Sequence, residues 1–154
     1  MAEPRTESDV GRKAGRYVAE GQNLPGGEAE VAFGASRIAF DGSAGSDSVL
    51  PGPADLMAAA LAACVLKNVE RLSGMLPFAY RSAGVHVELT REEPPPRITR
   101  ARYVLTIETD EPLHRVDLLH RNILRFGTIT NTLAAACELL GEIRAINPGE
   151  ASDA

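Results

Sequence analysis

The sequence contains few of the residues that would assign it to a class directly. Its 154 residues include no tryptophan, three tyrosines and four phenylalanines, so aliphatic side chains must form most of the core. Two cysteines are too few for a disulfide-stabilised scaffold, and they suit a reducing compartment. His86, His114 and His120 are not spaced to place two metal ligands on one face, and no Cys-x-x-Cys or His-Glu-x-x-His motif occurs. We therefore expect no metal site and no cofactor.

Long apolar segments and an excess of basic charge are also lacking. The longest apolar run, residues 56–66, has eleven residues, whereas a membrane-spanning helix requires about 20. The N-terminal residues are polar and do not contain the apolar segment of a signal peptide. The net charge is −5, with no basic stripe interleaved with aromatics, so neither nucleic acid nor a membrane is an expected partner. With 44% hydrophobic and 24% charged residues, the composition is that of a globular protein, which we place in the cytoplasm.

Residues 16–147 contain the strand-like and helix-like apolar patterns of the chain, and their number fits a single domain. Residues 1–15 and 148–154 are polar and are expected to be loose tails. At the beginning of this domain the sequence predicts three short strands. A turn rich in glycine and proline separates the first two. These strands are predicted at residues 16–20, 28–33 and 37–41, with the turn at 23–27.

A long helix is predicted from about residue 54 to residue 73. Pro53 suits its first turn, and the carboxylate of Asp55 complements the positive end of the helix dipole. Apolar residues cover every face from 56 to 66, a pattern that is typical of a helix surrounded by protein. In a domain of this size, complete burial is easier if a second subunit supplies one side, which favours a homodimer.

The second half of the chain predicts two strands, two helices and a final strand. A pattern of period two marks both strands, and the proline-rich segment 92–96 joins them as an antiparallel pair. An apolar stripe at helical spacing marks the first helix, which Gly127 ends. The predicted segments are strands 83–90 and 98–108, helices 112–125 and 128–137, and strand 140–146. Strands, a long buried central helix, a strand pair, two helices and a last strand predict an α+β domain.

Cys64 lies in the middle of the long predicted helix and has two interpretations. A free cysteine among alanines and leucines is most often a buried packing group. Lys67, three residues further along the same helix face, is near enough for its ammonium group to favour a reactive thiolate. The same lysine can equally extend its charge from an apolar helix into solvent. Cys137, in a second alanine-rich stretch, is interpreted as a buried structural thiol.

Two segments resemble the signatures of a known family. Residues 53–64, PADLMAAALAAC, closely resemble the helix that carries the reactive cysteine of the OsmC/Ohr family, the osmotically induced and organic hydroperoxide resistance proteins. Residues 125–133, RFGTITNTL, are similar to the second signature of that family, and the order of elements between the two segments also fits. The resemblance implies an OsmC-like fold and an intertwined homodimer, with active sites at the subunit interface.

The resemblance also implies roles for particular residues. In the peroxidatic members a cysteine thiolate attacks a hydroperoxide and becomes a sulfenic acid, and a second cysteine then forms a disulfide with it. Cys64 matches the attacking position. Gly127 stands where the family places the resolving cysteine, and Ala54 stands where many members have an acidic residue. The turn at 23–27 lacks the arginine that activates the thiol in those members.

These departures leave two main hypotheses for the function. In the first, the protein is a thiol peroxidase of the stress response, in which Cys64 reduces organic hydroperoxides and an external thiol acts as the resolver. Lys67 or Arg37 would then replace the missing arginine, and Asp55 would be the acidic partner. In the second, the protein is redox-inactive and binds a small apolar ligand at the dimer interface. A thiol sensor that is oxidised at Cys64 without efficient recycling is a third reading.

Overall fold

The computed structural model describes residues 15–45 and 47–147, which form two compact units that divide after Gly52. The elements are β1 (Glu20–Asn23), β2 (Glu28–Phe33), β3 (Ser36–Asp41), α1 (Pro53–Met75), β4 (Ser82–Glu92), β5 (Arg97–Glu108), α2 (Leu113–Phe126), α3 (Thr128–Ala136) and β6 (Glu138–Ile146). Strands β1 to β3 belong to the N-terminal unit, and the other elements belong to the C-terminal unit. This mixture of strands and helices is the α+β class that the sequence predicts.

The N-terminal unit is an antiparallel sheet in the order β1-β2-β3. Gly26 and Gly27 have φ angles of +101° and +91°, which glycine adopts without strain, so the chain reverses tightly after β1. Because the turn is short, the pairing with β2 continues up to Asn23. The first strand therefore covers Glu20–Asn23, and its prediction at residues 16–20 is wrong in position.

Strand β5 lies in the centre of the sheet of the C-terminal unit, which has the order β4-β5-β6. Strands β4 and β5 are antiparallel, as the alternating pattern predicts, with Val87 opposite Tyr103. Strand β6 runs parallel to β5, with Gly141 opposite Tyr103. A parallel pair needs a long crossover connection, which α2 and α3 provide. Strand β6 begins at Glu138, slightly before the predicted residue 140.

Helix α1 packs against β4, α2 and α3 and forms the core of the C-terminal unit with them. Its inward face is buried, whereas Met57, Ala60 and Ala63 are exposed on another face, Met57 by 42%. The described residues therefore cover α1 on one side only, and a second subunit on the other side stays a prediction. The buried aliphatic side chains of the three helices are Leu61, Val65, Val69, Leu72, Val116, Leu119, Ile123 and Leu133.

In the part of the chain that the structure describes, none of the helices combines the length and the apolar character that crossing a membrane requires.

Candidate functional site

Cys64 lies on α1 at the boundary between the buried and the exposed faces of the helix. Leu61 and Val65 beside it are fully buried, Ala63 is exposed, and Cys64 itself is partly exposed. Its thiol is free. A partly exposed thiol can meet a small molecule from solvent, whereas a fully buried packing cysteine cannot. The position therefore permits thiol chemistry.

The side chain of Asn68 reaches back along α1 to Cys64. Asn68 is only 7% exposed. Its Nδ2 donates a hydrogen bond of 2.8 Å to the carbonyl oxygen of Cys64 and lies 3.6 Å from Cys64 Sγ, within donor distance of sulfur. Residues four apart share one face of a helix, so the spacing in the sequence brings this amide to the thiol. The side chain that donates to this sulfur, among the described residues, is therefore a neutral, buried amide.

The start of α3 lies beside the sulfur of Cys64. Helix α2 ends at Gly127, whose N–H donates to the carbonyl oxygen of Ile123 at 3.0 Å. A Cβ atom placed on Gly127 would lie 3.2 Å from Cys64 Sγ. In a disulfide, the Cβ of one cysteine lies about 3 Å from the sulfur of the other, given the S–S bond length. Residue 127 is therefore at the distance that a partner cysteine of Cys64 would need, although it carries no side chain here.

Thr130 fills the space that a side chain at residue 127 would occupy. Its Oγ1 would lie 2.3 Å from the added Cβ, and it donates a hydrogen bond of 2.8 Å to the Gly127 carbonyl oxygen. Because the N-cap residue is glycine, α3 begins without a side-chain cap. The positive end of the α3 dipole thus lies next to Cys64 and would stabilise a negative charge there.

A buried tyrosine–histidine pair also acts on the site. Tyr103 on β5 is 1% exposed, and its hydroxyl lies 2.9 Å from Nε2 of His120 on α2. Burial raises the pKa of Tyr103, and the charge of a Cys64 thiolate raises it further. Burial lowers the pKa of His120 below its ordinary 6.5, an effect that Asp117 partly offsets. At pH 7 the imidazole is therefore mainly neutral, and its tautomer sets which of the two partners, Nε2 or the tyrosine hydroxyl, donates the hydrogen bond.

The surroundings of Cys64 combine one thiol, a neutral amide donor and an uncapped helix N-terminus. Such groups stabilise negative charge that develops at a sulfur or at a leaving oxygen during a reaction. Across residues 15–45 and 47–147, no three or more His, Cys, Asp and Glu side chains are grouped so that they could hold a metal ion. The site is therefore suited to nucleophilic chemistry at sulfur.

The other residues predicted for the site lie in several places. Lys67 is exposed on α1, and within the described residues it makes no hydrogen bond or ion pair. Asp55 is exposed in the first turn of α1. Arg37 lies on β3 of the N-terminal unit, where it forms an ion pair with Glu30. The roles of Lys67, Asp55 and Arg37 in catalysis stay predictions.

Asn68, Tyr103 and His120 lie at or near the site but are not among the site residues predicted from the sequence. Asn68 carried a usable signal, because it is a polar residue in an apolar helix and follows Cys64 by one turn. Tyr103 and His120 carried none, because they come from a strand and a helix that only the tertiary fold brings together.

A family model described as "OsmC-like protein" matches residues 45–139 of this chain. The match includes both Cys64 and Gly127 and extends over more than half of the sequence. No curated protein matches the chain significantly.

Solved structures from three bacteria share the fold at low sequence identity. An OsmC-like protein from Mycoplasma pneumoniae superposes with a TM-score of 0.77 at 13% identity, over 88% of this chain and 99% of that one. An organic hydroperoxide resistance protein OsmC from Legionella pneumophila superposes with a TM-score of 0.66 at 12% identity, over 84% of this chain and 98% of that one. The organic hydroperoxide resistance protein OhrB of Bacillus subtilis superposes with a TM-score of 0.60 at 16% identity, over 83% of this chain and 98% of that one. At these identities the similarity establishes the fold.

Proposed function

We propose that this chain, which belongs to the OsmC-like protein family, reduces organic hydroperoxides through the thiol of Cys64. One observation carries the proposal: Cys64 Sγ lies 3.2 Å from the Cβ position of residue 127. Residue 127 is where the peroxidatic members place the cysteine that reacts with the attacking thiol. This distance supports the assignment of Cys64 as the attacking residue, and Cys64 is partly exposed.

The first step would oxidise Cys64. Its thiolate attacks one oxygen of the peroxide, the O–O bond breaks, and sulfur loses two electrons as it becomes a sulfenic acid. The other oxygen leaves as an alkoxide and takes up a proton to give an alcohol. The amide of Asn68 and the first turn of α3 are the neighbouring groups suited to stabilise the negative charge during this step.

The second step would restore Cys64 with an external thiol. Cys137 follows Gly127 by ten residues along α3, a helical rise of about 15 Å. A disulfide requires Cα atoms within about 7 Å of each other, so Cys137 is poorly placed to resolve a sulfenic acid that forms beside Gly127. A small thiol would attack the sulfenic acid, release water and leave a mixed disulfide, which a second thiol would reduce to Cys64 and a free disulfide.

Turnover tests this function directly. Purified protein should consume cumene hydroperoxide or tert-butyl hydroperoxide in the presence of a dithiol reductant, and Cys64→Ser should abolish the activity. Cys137→Ser is the matched control and should retain the activity, because a serine hydroxyl can also donate to the carbonyl oxygen of Leu133, as the thiol does at 3.3 Å. A wild-type protein that shows no turnover above the uncatalysed rate would rule the proposal out.

The predicted roles of Asp55, Lys67 and Arg37 belong to this proposal. Asp55 would act as the acidic partner from the first turn of α1, and Lys67 or Arg37 would contribute positive charge. We also propose that the protein is a cytoplasmic homodimer. Its two free cysteines suit a reducing compartment, and the exposed apolar side chains on α1 suit a subunit contact.

A redox-inactive protein that binds a small apolar ligand is the second candidate. The observation that favours it is the exposed apolar surface of Met57 and Phe126, at 42% and 44% exposure. Alkylation of native Cys64 by iodoacetamide separates the two functions. A reactive thiolate reacts rapidly at neutral pH, whereas a cysteine kept only for packing reacts slowly.

A further inference from the structure

We propose that Asn68 is the positioning residue that stabilises the Cys64 thiolate, in the absence of the arginine that the resemblance leads one to expect. The inference deepens the proposed function and rests on it for its biological meaning. It assigns to a hydrogen bond from a neutral side chain a stabilisation of the thiolate that is separate from any charge contributed by Lys67 or Arg37.

The geometry of Asn68 supports this role. The amide nitrogen carries two hydrogens, and the carbonyl oxygen of Cys64, at 2.8 Å, occupies one of them. That bond fixes the amide plane and leaves the second hydrogen for Cys64 Sγ at 3.6 Å. Asn68 is 7% exposed, so water competes little for this donor. A hydrogen bond to a charged acceptor strengthens in such surroundings, which favours the thiolate over the thiol.

Helix α3 adds a second, independent contribution. Its N-cap is Gly127, whose Cβ position lies 3.2 Å from Cys64 Sγ, and no side chain caps the first turn. The first N–H groups of α3 and the positive end of its dipole therefore lie close to the sulfur. Both contributions are neutral groups, and neither titrates in the range of thiol ionisation.

Within the part of the chain that the structure describes, none of the charged and titratable groups near the sulfur forms a hydrogen bond to it, and Arg71 of α1 lies over the Phe126 ring, 6.0 Å from its centroid. Strand β4, which packs on α1, presents only apolar side chains to the core, and α3 contains no charged residue. Tyr103 from β5 and His120 from α2 bond to each other. Lys67 on α1 is exposed, and Arg125 of α2 stacks on Phe126 at 5.1 Å. Among the described residues, Asn68 is the one side chain that donates a hydrogen bond to this sulfur.

The test measures Cys64 alkylation in the full chain carrying Cys137→Ser, so that a single thiol reacts. The rate with iodoacetamide is recorded from pH 5 to pH 10 for this protein and for its Asn68→Ala and Asn68→Asp derivatives. Asn122→Ala is the matched control, because Asn122 Nδ2 donates the same type of bond to the Leu118 carbonyl oxygen, also at 2.8 Å, on a helix without a cysteine. Circular dichroism establishes that each variant is folded.

Asn68→Ala should slow alkylation at pH 7 by about tenfold, the effect of one hydrogen bond to a charged group. It should also move the midpoint of the pH profile upwards. Asn68→Asp should move the midpoint further, because its carboxylate repels the thiolate, whereas Asn122→Ala should change neither quantity. Unchanged rates and midpoints in both folded Asn68 variants would overturn the inference.

A second measurement applies if the Asn68 variants do not fold. In the otherwise unmodified protein, the side-chain amide NMR signals of Asn68 should shift as the Cys64 thiol ionises, and those of Asn122 should not. Cys64→Ser should remove the shift; Asn68 signals that do not respond to pH would contradict the inference. Alkylation and NMR require no hydroperoxide, so a protein without peroxidase turnover but with these responses would refute the proposed function alone.

Discussion

Gly127 illustrates at the scale of single residues how one absent side chain shapes the surroundings of Cys64. A Cβ at this position would lie 2.3 Å from Thr130 Oγ1 and 3.2 Å from Cys64 Sγ. The backbone angles of Gly127, φ −73° and ψ 123°, are open to any residue, so crowding alone disfavours a larger side chain. The hydroxyl of Thr130 thus occupies the space that a side chain at residue 127 would fill.

We expect Gly127→Ala to destabilise the protein by about 1–3 kcal/mol, because the new methyl group overlaps a buried hydroxyl. Thr130→Ala removes that hydroxyl. When the two changes are combined, it should therefore cancel much of the loss in the free energy of unfolding that Gly127→Ala causes. Urea unfolding of the wild type, both single variants and the double variant gives the coupling energy of the pair. Strictly additive effects would show that the two residues do not compete for the same space.

Cys64 could be identified from the sequence because its surroundings in the chain form a recognisable segment. Asn68 could also have been found there, since a side chain four residues away on a helix is a neighbour. The hydrogen bond between Tyr103 and His120 could not, because 17 residues separate them and only the packing of α2 on the sheet joins them. A neutral histidine in a core gives no signal of its own in the sequence.

At the scale of elements, the position of β6 follows from a contact that its sequence does not reveal. Gly141 lies opposite Tyr103 in the parallel pair, and a Cβ there would lie 2.5 Å from the Tyr103 hydroxyl oxygen. The tyrosine ring leans over this glycine, while its hydroxyl bonds to His120 at 2.9 Å. Gly141 therefore provides the space that lets the sheet and α2 share the Tyr103 side chain.

Gly141→Ala should destabilise the C-terminal unit by about 1–3 kcal/mol, because the tyrosine ring must move from its place in the core. Gly84→Ala on β4 is the control, since nothing lies within 4 Å of its Cβ position. That change should be neutral or stabilise by about 0.5 kcal/mol, because glycine is a poor strand residue. Thermal or urea unfolding measures the stability of both variants. An equal change in the free energy of unfolding at both glycines would show that the Tyr103 ring does not need the space at Gly141.

The helices and the β4–β5 pair were predictable because their apolar patterns repeat with a clear period. The first strand was misplaced: residues 16–20 were predicted as a strand before the turn at 23–27, whereas the tight turn at Gly26 and Gly27 lets the pairing continue to Asn23, and the strand covers Glu20–Asn23. The parallel direction of β6 has no marker in its own residues. It follows from the crossover through α2 and α3, which is a property of the topology.

At the scale of the whole molecule, the sequence predicts more burial of α1 than residues 15–45 and 47–147 provide. Residues 56–66 are apolar on every face, yet Met57, Ala60 and Ala63 remain exposed in the described structure. A single sequence does not reveal which surface covers them. A second copy is the partner that the family resemblance implies, and it would complete the surroundings of α1.

We expect sedimentation equilibrium to give twice the mass of the 16.4 kDa chain. Met57→Glu should shift the protein towards the monomer, because a carboxylate would be buried without a partner. Leu113→Glu, on α2, is the control at another exposed apolar side chain and should leave the mass unchanged. A wild-type protein that sediments as a monomer at micromolar concentration would exclude the dimer.

The most direct test of the central claim is to trap the oxidised form of Cys64. The reduced protein is exposed briefly to one equivalent of cumene hydroperoxide with a dimedone probe present, and the labelled peptides are identified by mass spectrometry. The account predicts a sulfenic acid adduct on Cys64 that forms within seconds and is absent from Cys64→Ser, with Cys137 unlabelled. No adduct on Cys64, or labelling confined to Cys137, would contradict it.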